Sequence, residues 1–292
     1  MSEISKFIEV HYDVVRAPDV PFEDCKTFLL PETHDSERHT TVNGLFISTF
    51  ATPESIFLME GVESCTFPYS DSVKQHLLSR ECIKPATSLR VLGWDMKNFF
   101  RTSVEHYDAV APFFTSHCDK IALGSFDWEV ALDRYLTKAL GVFELDPIQN
   151  ELYTRENITY LRETFHSFGI ELNKISTSAH KTVSSPEGAV EQLKEIGAQI
   201  VAKINDGRRT IIASTWDERV LSMIETLRKV HSEECSGKVF LIAGKRHLIQ
   251  KEGGRYPLEP FTDYLRSRPD IAILKVKKTL DGPHLPAGGW GH

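Results

Sequence analysis

Five groups able to ligate a metal or carry a proton crowd into residues 32–39: Glu32, His34, Asp35, Glu37 and His39. They follow the short apolar run Thr27 to Leu30, which breaks at Pro31. Neutral imidazole can bind a metal ion or act as a general base near neutral pH. A comparable histidine, His247, stands just after a second apolar run, Val239 to Ala243. Glu60 and Asp95 close two more such runs. A carboxylate at the end of a buried strand is desolvated unless a metal, an arginine or a histidine compensates it. Several together can hold a divalent ion, position a water, or divide into acid and base.

Each residue also has a plainer reading. Asp95 can cap the helix after it, and His34 or His247 can cap a helix or bond a neighbour. Asp35 and His39 sit where a helix begins, a place that suits an acidic residue and lets a histidine face solvent. Arg219, three residues after Trp216, reads as a clamp for an anionic substrate, as a partner for the carboxylates, or as a surface ion pair.

The elements that would position these groups follow from apolar patterning. Strands are expected at about 26–30, 55–60, 88–95, 209–215, 238–244 and 271–276. Helices are expected after the charged turn to Phe50, at 71–80, 97–114, 216–231 and 261–266. Residues 1–24 read as an irregular lead-in. The middle of the chain, about 126–206, carries apolar residues at three-four spacing. It reads as a helical insertion, with Asn173 to Ser185 as its linker. The tail, 281–292, is rich in glycine and proline and reads as flexible. Alternating strands and helices imply an α/β fold: a doubly wound, mostly parallel sheet with helices on both faces. Residues 1–292 then form a single α/β domain carrying the insertion. If the strands are parallel, Glu32/His34, Glu60, Asp95, Ser214/Thr215 and Gly244/His247 all leave the same edge of the sheet, where ligands gather in such folds.

Composition narrows the function classes. The 292 residues are 41% hydrophobic and 26% charged, enough for a sizeable core. A net charge of −7 with no concentrated basic face argues against a nucleic-acid partner. Lys275, Lys277 and Lys278 read as a short solvated edge. The five cysteines (25, 65, 82, 118 and 235) form no paired motif and suggest a reducing compartment. The opening MSEISKFIEV lacks a signal-peptide pattern and no stretch is long enough to span a membrane, so a soluble, cytoplasmic protein is expected. Gly244-Lys245-Arg246 lacks the remaining parts of a P-loop, and no nucleophile elbow is present.

Four segments resemble the superfamily that joins ChaN-like haem-uptake proteins, erythromycin esterases, TraB/PrgY-type proteins and the Tiki proteases. Leu29-Leu-Pro-Glu-Thr-His-Asp-Ser-Glu-Arg-His39 is similar to its opening motif, a strand followed by Gly-Glu-x-His-Asp and a later histidine. Ile56-Phe-Leu-Met-Glu-Gly-Val62 resembles its second strand. Arg219-Val-Leu-Ser-Met223 is similar to its Arg-x-x-x-Met helix, and Val239 to Leu248 to its closing Gly-x-x-His. Pro31 stands where the family has glycine. The resemblance implies that Glu32, His34, Glu60 and His247 surround one cleft. They would act as catalytic residues and, if a divalent metal is bound, as its ligands. Arg219, Asp95 and His39 would contact a small-molecule or peptide substrate. The expected activity is hydrolysis of an ester or peptide bond by water activated at these residues. The alternatives are a haem or small-ligand binding protein using the same cleft, and an inactive scaffold.

Overall fold

The computed structural model describes residues 1–33, 36–84, 89–95, 186–232, 236–249 and 259–278, with isolated positions between 116 and 174. The chain divides into two compact units. One is Met1–Lys97 with Asp217–His292, and the other is Asn98–Trp216.

The first unit is an α/β structure around a six-stranded, mostly parallel sheet. In chain order its strands are β1 (Tyr12–Arg16), β2 (Thr27–Glu32), β3 (Ile56–Glu63), β4 (Arg90–Asp95), β5 (Val239–Gly244) and β6 (Ile271–Val276). Its helices are α1 (Glu3–His11), α2 (Glu37–Phe50), α3 (Asp71–Arg80), the end of the long α4 (Pro186–Ser232), α5 (Lys245–Leu248) and α6 (Glu259–Arg266). The strands lie in the order β1-β6-β2-β5-β3-β4. All neighbours pair parallel except β1, which runs antiparallel to β6.

This order creates a crevice. The connection from β2 leads through α2 to β3, beyond β5. The connection from β5 leads the other way, to β6 on the far side of β2. Adjacent strands whose connections depart in opposite directions open a gap at their carboxyl ends, the usual ligand position in such sheets. Glu32 and Gly244 are the last register partners of β2 and β5 and so border this gap.

Contacts of two successive residues of β2 place a helix against each face. Phe28 packs edge-on against Phe46 of α2, with ring centroids 5.2 Å apart. Its neighbour Thr27, which points the opposite way, bonds His231 of α4 at 2.7 Å. Phe46 also meets Tyr12, Phe50 and Phe240, so α2 is held by an aromatic cluster. Such pairs add about 0.5–1.5 kcal/mol each beyond their buried area. Ser36 starts α2 by accepting the His39 N–H on its hydroxyl.

Three expectations are corrected. Residues 1–24 are not irregular throughout, since they include α1, capped by Ser2, and β1. Only Tyr12 of β1 is buried, which left no apolar pattern to read. The apolar run at 27–30 does not end at Pro31; β2 continues through Glu32. Proline fits because β6 pairs only as far as Leu29, so beyond it the strand has a ladder neighbour on one side. Arg209 to Thr215, expected as a strand, is helical within α4. A short β-branched run does not overcome a helix already propagating on both sides of it. Ser214 and Thr215 therefore do not leave a strand end. The strands expected at about 55–60, 88–95, 238–244 and 271–276 appear as β3 to β6, but β3 continues past Glu60 to Glu63. The helices expected at 71–80 and 261–266 appear as α3 and α6, while the helix expected at 216–231 is the end of the longer α4.

The second unit is described at isolated helical positions and along the first part of α4. Lys203 pairs with Glu171 at 3.1 Å, but both are about half exposed and the pair adds little. The expected helical block at about 126–206 falls in this unit, largely outside the described residues. The expected helix at 97–114 and the tail at 281–292 also lie outside them.

Candidate active site

Glu60 lies where β3 departs from regular pairing. The β3–β4 register shifts between Met59 and Glu63, and Gly61 adopts a positive φ of 78°, a region that disfavours other residues. Gly93 of β4 lets the strands approach at this irregularity, since an added Cβ would collide with the Val62 carbonyl. The bend turns the Glu60 carboxylate toward the end of β5. There its Oε2 accepts the Gly244 N–H at 2.9 Å.

Arg219 joins the carboxylates of β3 and β4. Its Nε and Nη2 donate side-on to Asp95 Oδ1 and Oδ2, at 2.9 and 2.6 Å. Nη2 also donates to Glu60 Oε1 at 2.7 Å. Asp95 is fully buried and also accepts the Gly61 N–H at 3.1 Å. Burial works to lower the Arg219 pKa, but bonding and charge from Asp95 and Glu60 outweigh it and raise the value. The guanidinium is therefore a fixed positive charge. Side-on bonding of this kind is the strong form of the arginine–carboxylate pair.

Helical spacing explains how α4 delivers this arginine. Three residues on, Ser222 donates to the Trp94 carbonyl at 3.1 Å. Four residues on, Met223 is buried in the core. One face of the helix thus docks on β4 and carries Arg219 to the strand end.

His247 follows β5 in the single turn α5 and is 2% exposed. Its Nε2 lies 3.7 Å from Glu60 Oε1, close to the carboxylate but beyond hydrogen-bonding distance. Trp94 packs edge-on against the imidazole at 5.6 Å, and the Arg219 guanidinium lies 5.6 Å from the centre of the same indole. The indole N–H donates to the Ile242 carbonyl at 3.3 Å. Trp94 thus packs against both the arginine and the histidine.

Glu32 borders the crevice at the end of β2 and is 6% exposed. His39, in the first turn of α2, accepts the Thr33 N–H on Nδ1 at 3.0 Å. Neutral His39 therefore carries its proton on Nε2. Burial lowers the His39 pKa, Glu32 opposes the shift, and Lys245, Arg38 and Lys275 reinforce it. His34 and Asp35 lie outside the described residues.

The structure thus brings Glu60, Asp95, Arg219 and His247 into one cluster, with Glu32 and His39 at the neighbouring strand end. Sequence reading missed Trp94, whose position one residue before Asp95 was the available signal. It also missed the Gly244 and Gly61 amides, which side-chain patterns cannot reveal.

The cluster contains an acid–base set, two carboxylates and an imidazole, buttressed by an internal cation. Among the described residues, no three His, Cys, Asp or Glu side chains come together as a metal-binding set. Arg219 already supplies the positive charge that a divalent ion would bring to Glu60 and Asp95. The described side chains therefore do not by themselves form a metal cage. His247 is buried against Trp94.

No helix among the described residues is long and apolar enough to cross a membrane. No family model, curated protein or solved structure matches the chain.

Proposed function

We propose that the protein is a hydrolase that cleaves an ester or peptide bond at the carboxyl edge of its sheet. The observation that carries this reading is the fixed Glu60 carboxylate. It is held by Arg219 and the Gly244 N–H, faces His247, and stands at the crevice bordered by Glu32.

The roles follow from the environments. Asp95 is wholly engaged with Arg219 and the Gly61 amide, so it positions the arginine. Arg219 in turn holds the Glu60 carboxylate beside the imidazole. His247, facing that carboxylate, passes a proton to the departing oxygen or nitrogen. Glu32, on the other side of the crevice, takes the proton of the attacking water. His34, two residues beyond it, shares this role on the strength of its place in the sequence. Proton transfer by such placed groups contributes about 10²–10⁴-fold to rate.

Glu60→Gln tests the assignment because it keeps the shape and removes the charge. Turnover of p-nitrophenyl esters and of a labelled casein would be compared with the unmodified chain, beside far-UV circular dichroism. The expected result is loss of about 10²-fold or more in kcat/KM with the spectrum retained. Equal turnover in the folded variant, or none on either substrate by the unmodified chain, removes the proposal.

A further inference from the structure

Arg38 lies in the first turn of α2, one residue before His39. Its Nη1 donates to the Lys278 carbonyl oxygen at 2.7 Å. Its Nε and Nη2 are buried and have no hydrogen-bond acceptor among the described residues. These two atoms form one edge of the guanidinium, the edge that grips a carboxylate or phosphate through two parallel bonds. Arg219 displays the same edge in use: its Nε and Nη2 hold the two oxygens of Asp95.

The surroundings favour negative charge. His11, at the end of α1, has a buried Nδ1 that likewise lacks a partner among the described residues. Burial, then the charges of Arg38 and Lys277, lower the His11 pKa, which places both cations near its ring. Near His39, Arg38, Lys245 and Lys275 act together against the opposing charge of Glu32. The amino end of α2 adds its own positive partial charge. Buried charged donors without an acceptor are unfavourable, so such a group either meets water or is kept for a ligand.

We propose that the Nε–Nη2 edge of Arg38 anchors an oxyanion site, which takes one carboxylate or phosphoryl group as Arg219 takes Asp95. The site neighbours the crevice through His39 but requires no turnover, so it stands or falls apart from the hydrolase reading.

The test follows the Arg38 Nε–H resonance of the full-length, ¹⁵N-labelled chain, assigned by its loss in Arg38→Lys. The probes are inorganic phosphate, acetate and phenyl phosphate. The expected result is a saturable shift at concentrations up to about 10 mM with at least one probe. In Arg38→Lys, which keeps the charge but loses the fork, affinity followed by calorimetry falls about tenfold or more. A response to phenyl phosphate assigns a group carried on a larger ligand, and a response to phosphate or acetate alone assigns a free ion. Either supports the site. No saturable shift with any probe in the unmodified chain, a result independent of how the variant folds, overturns it. So does undiminished affinity in Arg38→Lys.

Discussion

Glu60 and Gly244 are joined through a side chain where backbone pairing between their strands has ended. The β3–β5 ladder closes at Leu58 and Leu241, and the Glu60 carboxylate then accepts the Gly244 N–H at 2.9 Å. Below this point β3 and β5 are held together by backbone bonds, and above it by the carboxylate that belongs to the proposed active site.

Removing that carboxylate therefore carries a structural cost apart from catalysis. Glu60→Ala leaves the Gly244 amide and one N–H of Arg219 Nη2 without the acceptor they use, while Nη2 keeps its bond to Asp95. A loss of about 1–3 kcal/mol is expected from the unsatisfied donors. Glu60→Gln keeps a carbonyl oxygen and is expected to lose less. Urea denaturation orders the two variants; equal stability of Glu60→Ala and the unmodified chain would falsify the bridging role.

Asp95 and Arg219 form the most buried ion pair described. Asp95→Ala is expected to cost about 3–5 kcal/mol, because it leaves a guanidinium largely out of water with one partner fewer. Arg219→Ala is expected to cost at least as much, since it strands two carboxylates. Denaturant midpoints decide the matter, and a cost below about 1 kcal/mol for Asp95→Ala would reclassify the pair as a weak surface bridge.

His231 ties three elements at the amino end of the sheet. One ring nitrogen bonds Thr27 at 2.7 Å and the other bonds Tyr264 at 2.8 Å. Burial, reinforced by Arg268 and opposed by Asp270, lowers its pKa from 6.5 to about 4. The unfolded chain then binds the proton more readily than the folded one, so stability rises with pH in this interval. His231's contribution is full above pH 6.5 and is lost as pH falls toward about 4. Denaturation at neutral pH and near pH ~5 should show a decline in stability that His231→Gln reduces. An unchanged decline in the variant would show that other groups cause it.

Cys25 and Cys82 should differ sharply toward alkylating reagents. Cys25 is fully buried, its thiol points at the Asp270 and Thr27 carbonyls, and burial raises its pKa to about 11. Cys82 is exposed. Thiolate is the reacting form, so iodoacetamide at neutral pH should label Cys82 well before Cys25. Peptide mapping by mass spectrometry reads the order. Early labelling of Cys25 would mean that the amino end of β2 opens readily.

Much of the first unit was legible because buried parallel strands are written as short unbroken apolar runs. Thr27–Leu30, Ile56–Met59, Val239–Gly244 and Ile271–Val276 announce their strands, and Glu32 and Asp95 announce two strand ends, whereas β3 runs three residues beyond Glu60. The same rule misread Arg209–Thr215, since a short β-branched run looks alike in a strand and in a long helix. Chain order could not reveal that β5 inserts between β2 and β3, which places the crevice between Glu32 and Gly244.

The sequence alone determined which residues are able to do chemistry and, for several, that they close a strand. Tertiary structure decided their partners: Asp95 and Glu60 meet Arg219, His247 meets Trp94, and the open edge of Arg38 meets no acceptor among the described residues. The reason is physical. Apolar periodicity is set by burial along a single element, whereas the fate of a charge depends on what other elements place within a few ångströms of it.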